Sequence, residues 1–386
     1  MQKRIIVERI QIEEYKSIEL LSVELHEDIN ILVGGNGSGK SNFLSAINET
    51  YLPENTEIAP YRSVKLDLKA STGEQIRLEL SRLQMRVMDI ATDETFSISQ
   101  KLYINGKFAF HNVGPDDTTL GLGYVTNLKV ALSNLKLSFW RKPLFVNFNL
   151  PKHLAIIDEP GLISVSLKGE GGIRSENQST NFITGIIDRI SFDKEFLYLD
   201  HDLIDRKVLL AHLTIEEKVK GNLRKFSPIK DIRFNENINI YRTDKQTIVE
   251  NLKLDFLVSG NWLPWSQLSD GTKRLFYIMS EITVNEGRLI LIEEPELGIH
   301  PHQLDLFMTF LKEQSRFSQM IISTHSPSAL NHFSKDQLDR ILLVSNTPKR
   351  GTRIERLSDE KIKKADLYIK EVGSLSDYWL MSDLEE

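Results

Sequence analysis

The sequence has no cysteine, which excludes disulfides and thiolate metal sites and fits a reducing compartment such as the cytoplasm. It has no excess of positive charge either. Lys and Arg number 48 against 54 Asp and Glu, giving a net charge of -6 and a pI near 5.9. No global basic field is available to hold nucleic acid, so any such contact must come from a local patch or a partner. No run approaches the ~18 apolar residues that a bilayer span requires. The first residues break their apolar positions with charges, unlike a secretory leader, so neither a membrane nor an export route is expected. There is no internal repeat and no long heptad run. What is present, 40% hydrophobic residues over 386 positions, can bury a substantial core as one large domain with insertions or as two ordinary domains.

Periodicity divides the chain. Residues 5–12 alternate apolar and polar and predict a strand; residues 28–33 predict a second that runs into a glycine-rich turn. Residues 42–52 have helical spacing through Phe43, Leu44 and Ile47. Residues 64–80 predict two strands joined at Thr72 and Gly73, with strand-like pieces continuing to residue 110. Residues 112–250 mix helical patterns (131–137, 182–190, 204–213) with a polar, glycine-rich loop at 166–179. From residue 252 the order is strand, turn, helix 272–284, strand 288–292, helix 301–314 and strand 319–323. Such alternation implies a parallel sheet. The expected division is an N-terminal lobe at 1–111, a mixed, largely helical insertion at 112–250, a C-terminal lobe at 251–345 and a tail at 346–386 packing on the core.

The turn after the second strand reads Gly34-Gly35-Asn36-Gly37-Ser38-Gly39-Lys40-Ser41 and fits G-x-x-x-x-G-K-[ST] at every fixed position. Glycines let backbone N–H groups turn inward around phosphate oxygens, where a Cβ would block the approach. In that arrangement Lys40 reaches the β- and γ-phosphates of a nucleotide and the Ser41 hydroxyl ligates Mg²⁺. The helix that begins near Asn42 points its positive end at the anion. The context is the required one, an apolar strand before and a helix after.

Three further elements follow in order. Residues 268–274 (LSDGTKR) open a helix, residues 289–296 (LILIEEPE) are an apolar strand ending in carboxylates, and residues 321–327 (IISTHSP) are a strand ending in a histidine. With these the chain resembles the ABC-type ATPases. It is most similar to the non-transporter branch of RecF, the SMC proteins and the OLD-related AAA ATPases found in bacterial anti-phage defence operons. The resemblance covers residues 4–49 and 263–345, with a similar ending at 373–380 (GSLSDYWL), and says little about the middle.

The resemblance implies an α/β fold: an ATPase head with a mixed or parallel sheet core, an antiparallel β subdomain and a largely helical insertion. It implies ATP and Mg²⁺ as ligands, held by Gly34, Asn36, Gly37, Ser38, Gly39, Lys40, Ser41 and Asn42. Glu294 would orient the attacking water, and Glu293, where many relatives have Asp, would bind Mg²⁺ through its waters beside Ser41. His325 would hydrogen-bond the γ-phosphate. Ser269 and Gly271 match the loop that is L-S-G-G-Q in transporters. In the family that loop binds the γ-phosphate held by the other protomer, so a homodimer or higher even oligomer is expected, with ATP sandwiched between subunits. Residues 297–300 take the place of the loop that crosses the dimer interface.

Some signals leave alternatives open. Asp158-Glu159-Pro160 is a second carboxylate pair before a proline, but it precedes the 268–274 loop, whereas the family order places that strand after it. Lys16, in Tyr15-Lys16-Ser17, resembles a family stretch whose basic residue approaches the nucleotide; a solvated strand end explains it as well. Gln84 and Gln100 both qualify as the residue of the loop linking the lobes. Basic-aromatic clusters at 139–142 and 220–233 read as helix surfaces beside core aromatics, and 361–364 as a solvated helix face. The resemblance implies an ATP-dependent switch in anti-phage defence. The short sequence past His325 lacks the nuclease domain that some OLD-type relatives carry there, so a separate effector protein, a nuclease or toxin, is expected. A DNA-binding role in repair or maintenance, as in RecF or SMC proteins, is the alternative.

Overall fold

The computed structural model of the chain describes residues 4–51, 61–85, 95–115, 144–146, 162–166, 173–175, 191–192, 205–242, 246–250 and 253–381. The basic-aromatic stretch 139–142, the helical patterns at 131–137 and 182–190 and the carboxylates Asp158 and Glu159 lie outside the described residues.

The N-terminal elements follow the alternation read from the sequence. They are β1 (Ile5–Tyr15), β2 (Ile18–Glu24), β3 (Ile29–Val33), α1 (Lys40–Tyr51), β4 (Ser63–Ala70), β5 (Gln75–Met85), β6 (Thr95–Ile104), β7 (Lys107–Pro115) and β8 (Leu144–Val146). The middle contributes β9 (Leu162–Ser166), β10 (Ile173–Ser175), β11 (Ser191–Phe192), α2 (Arg206–His212), β12 (Leu213–Thr214), α3 (Glu217–Phe226), β13 (Ile229–Phe234), β14 (Asn239–Arg242), β15 (Gln246–Glu250), β16 (Leu254–Val258), β17 (Asn261–Pro264) and α4 (Asp270–Val284). The chain closes with β18 (Ile290–Glu293), α5 (Pro301–Gln314), β19 (Met320–Thr324), β20 (Ile341–Thr347), β21 (Gly351–Arg356), α6 (Asp359–Glu371) and α7 (Leu375–Met381). The 166–179 stretch, expected to be a loop, contains β10, which pairs antiparallel with β9 through Ile173–Val165 and Ser175–Ile163. No helix among the described residues is long and apolar enough to cross a membrane.

The chain divides into two compact units. The first comprises Met1–Asn147, Asn285–Leu297 and Leu311–Glu386; the second comprises Phe148–Val284 and Gly298–Phe310. In the first unit an antiparallel sheet runs β2-β1-β4-β5-β6-β7, and a mixed sheet runs β21-β20-β3-β19-β18-β8. Strands β20, β3, β19, β18 and β8 are parallel, and β21 returns antiparallel on β20. Strand β3 is buried at all five positions because it lies inside the parallel sheet, which explains why it is apolar apart from Asn30. Helix α1 joins the two sheets into one core. Its Phe43, Leu44, Ala46 and Ile47 pack with Val7, Ile10 and Ile12 of β1 and with Leu32, Leu291 and Ile321 of the parallel sheet. Gln319 staples the layers: its amide accepts from Val7 N–H at 2.8 Å and donates to the Val7 and His26 carbonyls, each at 2.8 Å.

The second unit holds the sheets β10-β9-β15-β14, β11-β12 and β13-β16-β17. Phe256 of β16, Trp265 and Phe276 of α4 form an aromatic cluster with centroids 4.9 to 5.8 Å apart, anchoring the start of α4. The 220–233 cluster is a helix surface only as far as residue 226; residues 229–233 belong to strand β13. Helix α3 buries Val219, Leu223 and Phe226, while Lys220 pairs with Asp231 at 3.4 Å and the Arg233 guanidinium lies 4.2 Å from the Trp262 ring centre. In the first unit, 361–364 lies on the exposed helix α6, where Lys364 pairs with Glu360 at 2.7 Å.

Candidate functional site

The site grows from the order of three parallel strands. Strand β19 lies between β3 and β18, so the carboxyl ends of all three adjoin. Open α/β sheets bind ligands outside such carboxyl ends. Strand β3 delivers the glycine-rich turn and Lys40, β18 delivers Glu293 and Glu294, and β19 delivers His325.

The turn is braced from behind by the β20–β21 hairpin. A Cβ on Gly34 would stand 2.1 Å from the Val344 carbonyl oxygen, and one on Gly39 would stand 2.1 Å from the Thr352 hydroxyl. Gly39 also has φ +106, a region that excludes most side chains. Gly34 thus serves packing against the hairpin, and Gly39 serves both that packing and its backbone conformation. Gly37, at φ +76 with open space around it, is needed for its backbone conformation alone. The Asn346 amide donates to the Gly37 carbonyl at 3.2 Å, a third tie to the hairpin. Asn36 and Gly37 are exposed at the tip, Ser38 is buried, and Ser41 is exposed in the first turn of α1. That turn has no acidic residue, so its positive end is uncompensated from within the helix.

Lys40 is 4% exposed. Its Nζ donates to the Gly34 carbonyl at 2.7 Å and the Gly35 carbonyl at 3.0 Å, and lies 3.4 Å from Ser38 Oγ and 3.3 Å from His325 Nδ1. An ammonium only donates, so Nδ1 is the acceptor in that contact. The remaining ring proton then sits on Nε2, which is 2.9 Å from Glu294 Oε1. Lys40, His325 and Glu294 form a continuous chain of ammonium, imidazole and carboxylate. Glu294 follows the end of β18 with φ 46, while its N–H still donates to the Ser323 carbonyl at 2.9 Å. A left-handed non-glycine residue costs on the order of 1 kcal/mol or more, and such strain collects at functional positions.

Asn42 and Lys16 are placed differently from each other. The Asn42 amide donates to Ser17 Oγ at 2.6 Å, and Ser17 Oγ lies 2.7 Å from the Thr352 hydroxyl. Asn42 is therefore engaged with the β1–β2 turn. Lys16 is exposed in that two-residue turn at φ 48, with its Nζ 4.9 Å from the centre of the Tyr15 ring. Gln84 and Gln100 both lie within strands of the antiparallel sheet, paired with Phe96 and with Leu80 and Asn112.

Magnesium fits the donor set. Ser41 and Glu293 offer hard oxygens, and Mg²⁺ is commonly held by one or two protein oxygens together with substrate phosphates. Among the described residues no cluster of three His, Cys, Asp or Glu forms a metal cage.

In the second unit Ser269 caps α4. Its Oγ accepts from Thr272 N–H at 3.3 Å and lies 2.9 Å from the Thr272 hydroxyl. Ser269 and Asp270 are exposed. Gly271 is buried, and a Cβ there would meet the Gly298 carbonyl oxygen at 2.6 Å. The start of α4 is thus pressed against Gly298 and Ile299, where Gly298 has φ 72.

Sequence reasoning gave no role to Thr352, Thr324 or Glu296. Thr352 lies in no motif, Thr324 stood only as an unassigned letter of IISTHSP, and Glu296 only as the last letter of LILIEEPE.

Residues 233–331 match the family model described as an AAA domain, putative AbiEii toxin, of a type IV TA system. No curated protein matches the chain. Among solved structures it is similar to an SMC head bound to the C-terminal winged-helix domain of ScpA, with TM-score 0.51, 15% identity, and 93% of this chain and 99% of that chain covered. It also aligns with the SMC head domain from Thermotoga maritima, with TM-score 0.44, 14% identity and coverage of 91% and 99%. The fold is that of an SMC head, and residues 233–331 are similar to the AAA-domain family model.

Proposed function

We propose that this chain binds and hydrolyses ATP and works as a dimerising molecular switch that controls a partner effector in bacterial anti-phage defence. The observation that carries the reading is the Lys40–His325–Glu294 chain at the carboxyl ends of three adjacent parallel strands, beside the open positive end of α1.

The residues divide the work. Lys40, held on its own loop carbonyls without nucleotide, turns to the β- and γ-phosphates, and the N–H groups of residues 34–41 line the phosphate chain. Ser41 and Glu293 would hold Mg²⁺, which would offset charge on the phosphate oxygens. Glu294 orients a water for in-line attack and accepts its proton as the bond to ADP breaks. His325, freed from Lys40, contacts the γ-phosphate. The exposed Ser269 loop of a second copy, with the α4 dipole behind it, completes the site from across the dimer. Closure is then a ligand-driven population shift: contacts that exist only with the γ-phosphate favour the closed pair, and hydrolysis removes them. The defence role is supported by the toxin-system description of the matching AAA domain and by the motif wording. The effector, a nuclease or toxin, would be a separate protein.

The test is a pair of exchanges in the purified protein. Glu294→Gln should abolish phosphate release while ATP still binds and drives dimerisation; Glu159→Gln should leave turnover near wild type. Wild-type turnover in Glu294→Gln would overturn the assignment. Strong acceleration by DNA, lost steeply with salt, would instead favour the repair and maintenance role.

A further inference from the structure

The carboxylate of Glu296 has no part in the chemistry described above, yet it is the most heavily bonded acceptor at the mouth of the site. Its Oε1 accepts from the Thr324 hydroxyl at 2.7 Å, from His325 N–H at 2.7 Å and from Ser326 N–H at 3.1 Å. Thr324 Oγ1 accepts in turn from Ser326 N–H at 2.9 Å. Thr324 itself is fully buried. The other oxygen, Oε2, is buried with no hydrogen-bond partner among the described residues.

Hydrogen bonds to an ionised acceptor are shorter and stronger than neutral ones, and three on one oxygen fix the end of β19 firmly. A buried carboxylate oxygen without a partner is unfavourable on its own, so this placement is not that of an ordinary surface acid. What it fixes is the backbone that carries His325. Among the described residues the ring has two polar contacts, Lys40 on Nδ1 and Glu294 on Nε2. Both need the Cα of His325 to be held in place, since neither contact sets the position of the backbone.

We propose that Glu296 is a positioning residue: it ties the end of β19 to the loop after β18, so that His325 and Glu294 keep their mutual geometry, and the histidine keeps its proton on Nε2. The inference rests on the ATPase reading for its kinetic consequence but not for its spectroscopic one. Replacing Glu296 by Ala removes all three bonds. Gln keeps one acceptor oxygen of the same reach and should preserve them. Thr324→Val removes the hydroxyl's bond to Glu296 and its acceptance from Ser326 N–H, but leaves the two backbone bonds to Oε1, with little change in volume.

The experiment compares Glu296→Ala, Glu296→Gln and Thr324→Val with wild type in the full chain. It measures turnover, binding of a fluorescent ATP analogue, and the imidazole ¹⁵N signals of His325, assigned with His325→Gln. Glu296→Ala should lower kcat tenfold or more with ATP affinity within threefold, and should turn the single Nε2–H pattern into a mixture of tautomers. Glu296→Gln should keep the wild-type pattern and at least a third of kcat, and Thr324→Val should fall between. The proposal is overturned if the His325 pattern is unchanged in both Glu296→Ala and Thr324→Val, or if Glu296→Gln is as impaired as Glu296→Ala. Should Glu296→Ala not fold, Thr324→Val and Glu296→Gln decide by the same readouts. A wild-type protein that neither binds nor hydrolyses ATP would sink the functional reading alone, because the tautomer is read without nucleotide.

Discussion

The Thr352 hydroxyl stands 2.1 Å from where Gly39 would carry a Cβ, so the β20–β21 hairpin fills the space a side chain at that position of the glycine-rich turn would need. Thr352 is fully buried, and its N–H also donates to the Ser17 carbonyl at 2.7 Å. The turn is therefore supported by a segment more than three hundred residues further along the chain.

That support makes a double-mutant prediction. Gly39→Ala should destabilise by about 2–4 kcal/mol, from overpacking against Thr352 together with an unfavourable φ, and should abolish ATP binding. Adding Thr352→Ala removes the overpacking but leaves the φ strain, so stability should recover in part. Chemical denaturation of the three variants measures it. Full additivity of the two single losses would show that the contact does not matter.

The contrast between what the sequence announced and what it hid follows from separation along the chain. The strand–turn–helix around Lys40 and the alternation from residue 252 onward were legible because each rests on local period and local turn chemistry. Element ends moved by only a residue or two, as for α4 starting at Asp270 rather than Thr272. Glu296, Thr324 and Thr352 were silent because their meaning lies in contacts with distant strands. Strand β10 was missed because its three residues sit in a polar, glycine-rich context and exist only by pairing with β9. Asn42 was expected among the phosphate-holding residues; the bond from its amide to Ser17 Oγ, a partner 25 residues away, had no sequence signal.

His325 offers a direct test of the chain of polar contacts. His325→Ala should lower kcat by about 10²-fold, in the range usual for loss of a positioned acid–base group, and leave ATP affinity within a few fold. Single-turnover kinetics beside equilibrium binding would separate the two. A rise in KM alone, with kcat intact, would place the histidine in binding and remove it from the chemical step.

Tyr277, on α4, gives a stability prediction. Burial, with a smaller contribution from Glu281, pushes its hydroxyl up to about 12 from an ordinary value of 10. The folded state keeps this proton at a pH where the unfolded chain has released it. The contribution is complete below about pH 10 and is lost as pH rises toward 12. By pH 11 wild type should lose about 1.4 kcal/mol that Tyr277→Phe does not, measured by urea unfolding at pH 9 and pH 11. Parallel losses in both proteins would show the hydroxyl to be solvated.

The last prediction separates two roles of Ser269, which its capping bond to Thr272 makes easy to confuse. As an N-cap alone, Ser269→Ala should cost about 1 kcal/mol and do nothing else, whereas Ser269→Asp keeps a capping oxygen and should restore that stability. As the residue that meets the γ-phosphate of a second copy, Ser269→Asp should fail even though it folds well, because a carboxylate would repel the phosphate. The informative background is Glu294→Gln, in which hydrolysis cannot disperse the closed state. Light scattering with ATP should find dimers for Glu294→Gln alone and monomers when either Ser269 exchange is added. Gly271→Ala provides the control for the surrounding loop, since its Cβ meets a backbone carbonyl that no side-chain change can move, and its loss should appear in stability first. If the Ser269→Asp protein still dimerises with ATP, the serine is a cap and the second copy's contact must be sought elsewhere.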